Sequence, residues 1–181
     1  MIAPDALHLR PGRDTDGAAM ASVLVAAWRH GYRGIVPDNV IEAQTVAGWE
    51  PVLTAAARDP EIRTVVAVDA AGRVVGFAGF GPDPDDPDPH AGYLSSLYVD
   101  PAVAGASVGR RLVAQTLTEL AEAGRTTVTL WVFRDNARAR ALYERCGFVA
   151  DGAELVDQRW RVPQVRYRLT LPGPAADRTS L

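Results

Sequence analysis

An α/β (α+β) fold, with a mixed sheet of six to seven strands flanked by helices on both faces, follows from three observations. Runs rich in β-branched residues and amphipathic helical runs interleave in the order βα(α)ββ–βαβα–ββ. A strand ending near residue 99 feeds a helix through a turn almost without side chains, Ala104-Gly105-Ala106-Ser107 and then Gly109. The 181 residues, 48% hydrophobic and 23% charged, suffice for one domain with a full core and not for two comfortable ones. Residues 1–171 are expected to form that domain, and 172–181, PGPAADRTSL, a disordered tail.

Each element has a local reason. Residues 7–10, LHLR, alternate briefly as a first strand. Residues 15–30 are apolar and Ala-rich, with Asp14, Thr15 or Asp16 to cap them, and predict a helix. Gly31 and Gly34 interrupt it, and Pro37-Asp38 opens a second helical piece over 39–49, which residues 49–59 extend by a turn or two. Residues 64–80 form a hairpin about Ala71-Gly72. The stretch GPDPDDPDPH, 81–90, is expected to be neither helix nor inner strand. A strand over 94–99, a helix over 107–123, a strand over 126–134 and a helix over 136–146 stopped by Gly147 follow. Residues 147–156 and 164–171 close the pattern as strands.

Composition excludes several classes of chemistry. All 19 Lys+Arg residues are Arg, so a P-loop and a Schiff-base mechanism, which both need Lys, are ruled out. A net charge of −3 gives no broad reason to bind nucleic acid or an anionic membrane. No apolar run approaches the roughly 20 residues that span a bilayer. The first residues show neither a basic n-region nor an apolar h-region, so no signal peptide is expected. The single Cys146 excludes an internal disulfide and agrees with a reducing cytoplasm, the expected location.

Two stretches carry chemistry. The small residues from Ala104 to Gly109 leave consecutive backbone N–H groups bare at a helix start, where the partial positive charge suits a phosphate or diphosphate. Arg110 and Arg111 lie one turn in, ready for a further phosphate. A tight connection in an Ala/Gly-rich chain would look the same. In RDNARARALYERCGF, Asn136, Ala139 and Tyr143 are spaced +3 and +7 and share one helix face, a wall along which an extended ligand could run. The Tyr143 hydroxyl there can donate a proton or a hydrogen bond, although a lone Tyr on such a face is more often core.

Taken together the two stretches resemble the GNAT superfamily of N-acetyltransferases. The family's loop V-x-P-x-x-[RQ]-G-x-[GA]-[IV]-G is matched at Val99, Pro101, Gly105, Val108 and Gly109, with Ala104 in the Arg/Gln position and Ser107 in the second small position. Its second motif, N-x-x-[AS]-x-x-x-Y-x-x-x-G-F, is matched at Asn136, Ala139, Tyr143, Gly147 and Phe148. The stretch AAWRHGYRGIVPD resembles the family's W-x-x-x-Y-x-G-[IV]-x-P segment.

The resemblance implies a mostly antiparallel sheet splayed between strands four and five. It implies acetyl-CoA as co-substrate, no metal, and direct transfer to a primary amine of a small molecule or peptide. Leu97, Tyr98 and Val99 would flank the pantetheine arm. Gly105, Ala106, Ser107, Val108, Gly109 and Arg110 would hold the diphosphate, and Asn136 and Ala139 would line the arm. Tyr143 would face the thioester sulfur, leaving Cys146 to packing. A homodimer is admitted, since family members are often dimers.

The base is not evident, because AGYLSSLYV holds no carboxylate where many relatives have Glu. Ser95 or Ser96 could order a water leading to His90 or to an Asp of the preceding loop, and Ser96 is the second expected catalytic residue. Trp28 and Tyr32, at +4 on one helix face, and Tyr93 are the expected acceptor-side residues, with His30 near them. The strand six–seven region is expected to complete that pocket. Asp83, Asp85, Asp86 and Asp88 would either attract a cationic amine or merely solubilise their loop. The alternative to an enzyme is a non-catalytic acyl-CoA-binding or regulatory module on the same fold.

Overall fold

The computed structural model describes residues 7–103, 105 and 107–172. Its strands are β1 (His8–Pro11), β2 (Arg63–Val68), β3 (Val74–Pro82), β4 (Ala91–Val99), β5 (Thr127–Phe133), β6 (Val149–Val156) and β7 (Pro163–Thr170). Its helices are α1 (Gly17–Gly31), α2 (Asp38–Glu42), α3 (Val46–Arg58), α4 (Val108–Glu122) and α5 (Ala137–Arg145). The seven strands form one sheet in the order β1-β2-β3-β4-β5-β7-β6. Every neighbouring pair is antiparallel except β4 and β5, which run parallel and pair only over Ala91–Tyr93 against Thr127–Thr129. This is the mixed, mostly antiparallel sheet, opened between the fourth and fifth strands, that the resemblance implied. Among the described residues no helix is long and apolar enough to cross a membrane. The expectations placed on Ala104, on Ala106 and on the tail beyond residue 172 lie outside the described residues.

Strand alternation builds a core on each face. Along β2, Val65 and Ala67 point toward α4 and α5, joining Leu112, Val113, Leu120 and Tyr143. Val66 and Val68 point the other way, toward Met20, Leu24 and Trp28 of α1, Ile41 of α2 and Leu53 of α3. A Cβ on Gly17 would lie 2.0 Å from Thr54 Oγ1, so the missing side chain lets α1 settle against α3.

Three expectations are corrected. The segment after Pro37 is two helices, because buried Gln44 bridges their junction and Thr45 starts a new one. Gln44 Nε2 donates to the Val40 carbonyl at 2.6 Å, and Trp49 Nε1 donates to Gln44 Oε1 at 2.8 Å. Thr45 Oγ1 then accepts from the Gly48 N–H at 3.2 Å as an N-cap. Gly81 and Pro82 belong to β3, paired with Tyr93 and Gly92, and the Asp83 N–H bonds to the Ala91 carbonyl at 3.1 Å. For the same reason β4 starts at Ala91, three residues before the run that alternation marks.

The entry into α1 is fixed by charge. Arg10 donates to both oxygens of Asp16, at 2.7 and 2.8 Å, and the Arg13 N–H donates to Asp16 Oδ2 at 2.8 Å. The Arg10 hydrogen bond, working against burial, holds the Asp16 carboxyl below its ordinary range. A lowered native-state value means the contribution is complete above the ordinary carboxylate pKa and fades as pH falls through the native one. Asp16→Ala is therefore expected to cost about 2 kcal/mol of unfolding free energy at neutral pH. Denaturant titration should show the difference from wild type shrinking in acid.

Candidate functional site

The cleft begins with one extra residue in β4. Gly79 of β3 pairs with Ser96, but the next residue, Phe80, pairs with Leu94, so Ser95 is left over as a β-bulge. The Ser95 hydroxyl donates to the Gly79 carbonyl at 2.9 Å. A Cβ on Gly79 would stand 2.7 Å from Ser96 Oγ, so any side chain there would force the Ser96 hydroxyl to move. The extra residue keeps Leu94 on the same face as Leu97 and Val99, toward α4 and α5. Tyr93, Ser96 and Tyr98 then share the opposite face, where Tyr98 packs in the α1 core. A bulge sharpens strand twist. Past Tyr93, β4 turns away from β5 and their ladder ends. The gap is a cleft of about 670 Å³ that passes through the sheet.

The residues expected to bind the co-substrate, to catalyse or to face the acceptor all line this cleft, apart from Ala106, which is outside the described residues. Trp28, Tyr32, Tyr93, Ser96, Leu97, Tyr98 and Val99 meet there with Gly105, Ser107, Val108, Gly109, Arg110, Asn136, Ala139 and Tyr143. His30, at the exposed end of α1, also reaches its rim.

On the α4 side the backbone is bent to present a bare helix end. Gly105 has φ 98° and Ser107 φ 58°, both left-handed, and the Ser107 side chain makes no capping hydrogen bond. The first-turn N–H groups of α4 are thus left to a ligand or water. A Cβ on Gly109 would stand 3.2 Å from Leu142 Cδ2, so a small residue lets α4 sit close to α5. Arg110 lines the cleft together with Arg138 and Arg145 of α5. Arg111 does not: its guanidinium donates to the Leu7 carbonyl at 2.9 Å, which corrects its expected phosphate role.

Helix α5 is held by its own motif. Asn136 caps it, its Oδ1 accepting from the Ala139 N–H at 3.1 Å. The Tyr167 hydroxyl donates to Glu144 at 2.7 Å and accepts from Arg140 Nε at 3.0 Å, tying α5 to β7. Tyr143 is 8% exposed, and burial, then the fields of Tyr98, Cys146 and Tyr93, push its phenol well above the ordinary value. Cys146 closes α5 and packs against the core, where burial raises its thiol.

On the α1 side the wall is aromatic. Trp28 meets Tyr32 edge-on at 4.8 Å between ring centroids and Trp160 at 5.0 Å, and Tyr32 meets Phe133 at 5.1 Å. Trp28 Nε1 donates to the Tyr98 hydroxyl at 3.3 Å. Burial, with the fields of Asp83, Asp85 and Asp157, pushes the Tyr93 phenol up to about 12.

The acidic loop is spent on its own shape. Buried Asp83 accepts from Thr129 Oγ1 and from the Asp85 N–H. Asp86 pairs with Arg168 at 3.4 Å, and Asp88 accepts from the His90 N–H. His90 Nδ1 lies 3.0 Å from the Gly124 carbonyl, and neither it nor any of these four Asp lines the cleft. His90 and Ser96 lie six positions apart along extended chain, about 20 Å. The path to His90 is therefore withdrawn.

Several lining residues escaped the sequence reading: Arg138, Arg145, Trp131, Asp157, Trp160 and Gln164. The +7 spacing of Arg138 and Arg145 was legible as one helix face. Asp157 and Trp160 sit in the β6–β7 connection, a region expected to border the pocket although no residue of it stood out.

Comparison with known proteins agrees with this geometry. Residues 22–148 match the Acetyltransferase (GNAT) family. The chain belongs to that family. It is 31% identical over 150 residues to the mycothiol acetyltransferase of Paenarthrobacter aurescens, covering 81% of this chain and 43% of that protein. It is 35% identical over 162 residues to the enzyme of the same name from Rhodococcus erythropolis, covering 82% and 48%. The chain thus spans under half the length of these two relatives. Among solved structures, the PaiA N-acetyltransferase of Thermoplasma acidophilum in complex with coenzyme A shares the fold, with a TM-score of 0.71, 18% identity, and 88% and 97% of the two chains covered.

Gly79→Ala would displace the Ser96 hydroxyl without touching α4 or α5. Coenzyme A affinity by calorimetry should be unchanged. If Ser96 has the catalytic role expected of it, any acetyl-transfer kcat should fall about tenfold, the order expected when a group at the reacting centre is displaced by a fraction of an ångström.

Proposed function

We propose that this chain is an acetyl-CoA-dependent N-acetyltransferase that moves the acetyl group directly to a primary amine of a small molecule or peptide. The observation that carries the reading is the buried Tyr143 phenol in the same cleft as the uncapped start of α4, at the opening between β4 and β5. The residues present fit the co-substrate. The free amides at the start of α4 suit a diphosphate, and Arg110, Arg138 and Arg145 add positive charge around it. The edge of β4 facing β5 has lost its ladder partner beyond Tyr93, so its backbone groups can pair with an extended amide-bearing arm. With Asn136 Oδ1 engaged in capping, its side-chain NH2 is available to a carbonyl of that arm.

Acetyl-CoA, when bound, supplies a thioester carbon open to attack by an amine. Tyr143 stays protonated across the physiological range because its phenol is raised, so its hydroxyl can donate to the departing sulfur. Ser96 and Tyr93, on the same face of β4, can hold the acceptor nitrogen and a water that carries its proton away. Cys146 takes no part. The two relatives named mycothiol acetyltransferase support small-molecule acceptors as the first to test.

Thiol release from acetyl-CoA in the presence of an amine panel is the decisive assay, run beside calorimetric binding. Saturable binding with amine-dependent thiol release is expected. Binding with no release from any amine would overturn the catalytic reading and leave a coenzyme-binding module. Tyr143→Phe should lower kcat about 10²-fold without weakening acetyl-CoA binding. Because the phenol titrates above its ordinary value of 10.0, the wild-type rate should show no loss from Tyr143 ionisation up to that pH.

A further inference from the structure

The cleft is polarised across the sheet. On the α4–α5 side it carries Arg110, Arg138 and Arg145, whereas on the α1 side Asp157 is the one acidic side chain among the described residues that line it. Asp157 follows β6 and is held rigidly. Its Oδ1 accepts from the N–H groups of Arg159 and Trp160 at 2.9 and 2.7 Å, and its Oδ2 accepts from Gln164 Nε2 at 3.2 Å. All three donors are neutral, and among the described residues no ion pair to Asp157 is found. The nearest cation in sequence, Arg159, is turned away: its guanidinium lies 4.2 Å from the Trp160 ring centroid and 5.2 Å from that of Trp49.

Asp157 therefore presents a fixed, uncompensated negative charge with lone pairs to spare. It shares the cleft with Tyr93, whose phenol its field raises after burial and the fields of Asp83 and Asp85. Beside it stands the wall of Trp28, Tyr32, Phe133 and Trp160, whose ring faces favour both an apolar body and a positive charge. A carboxylate beside aromatic rings, with no ion pair to it among the described residues, suits an organic ammonium.

We propose that Asp157 holds the ammonium of the acceptor, making the acceptor a cationic primary amine borne on an apolar or aromatic body. The assignment rests on the acetyl-transfer reading above and names the acceptor class for that same cleft. Asp157 draws in and orients the charged amine before the reaction; it is a specificity residue, and no proton transfer is assigned to it.

Benzylamine and its neutral analogue benzyl alcohol separate charge from shape. Each is titrated by calorimetry into the protein saturated with free coenzyme A, and again without it. Wild type should bind benzylamine at least about tenfold more tightly than benzyl alcohol, a ratio worth about 1.4 kcal/mol. Asp157→Asn keeps the acceptor oxygen used by Arg159 and Trp160 and should bind the two alike, with coenzyme A affinity and melting temperature unchanged. Asp157→Glu, which restores the charge, should recover part of the preference. A wild type without preference for the amine, or a D157N protein that keeps it, overturns the assignment. In turnover, D157N should raise KM for benzylamine and spare kcat. A charge preference in binding without any acetyl transfer would sink the catalytic reading and leave the Asp157 site standing.

Discussion

The site depends on a single backbone constraint, the extra residue at Ser95 in β4. Without it, regular alternation would carry Leu94 to the face opposite Leu97 and turn the side chain of Tyr93 into the α4–α5 core. The bulge lets one strand serve two purposes, with Leu94, Leu97 and Val99 packing under α4 and α5 while Tyr93, Ser96 and Tyr98 face the aromatic wall. It also adds twist where β4 leaves β5, and parallel pairing stops after three residues. The hydrogen bond from the Ser95 hydroxyl to the Gly79 carbonyl holds that irregularity in place.

Everything chemical in the cleft is arranged around that opening. Helix α4 points its uncapped N-terminus into it, and Gly109 allows α5 close enough for both helices to share one wall. The register of α5 is fixed at both ends, by Asn136 at its start and by the Arg140–Tyr167–Glu144 hydrogen bonds to β7. Tyr143 is thereby held as a protonated phenol in a desolvated place. Among the described residues the charges are sorted by side, with arginines toward α4 and α5 and one carboxylate beside aromatic rings toward α1. Such a division suits a reaction joining an anionic donor to a cationic acceptor.

The acidic loop is where composition and structure part most clearly. Four Asp residues within six positions look like an electrostatic lure when read along the chain. In the fold each carboxylate with a described role closes a turn, accepts from Thr129 or pairs with Arg168. Asp157 lies outside that loop, yet among the described residues it is the one acidic side chain lining the cleft. Position relative to the sheet opening outweighs local charge density here.

Much of this molecule could be read from spacing. The element order, the bare turn from Gly105 to Gly109, the shared helix face of Asn136, Ala139 and Tyr143, and the pairing of Trp28 with Tyr32 are short-range patterns, which backbone periodicity translates directly into geometry. The helix break at Gln44-Thr45 and the early start of β4 escaped, because each is decided by a partner elsewhere: the Trp49 indole in one case, the β3 edge in the other. The same holds for the site's other half. Local sequence set which atoms the diphosphate end would offer. Strand register and the β6–β7 connection alone decided that Asp157 and Tyr93 line the same cleft, since contacts between residues far apart in the chain leave no periodic trace within either segment.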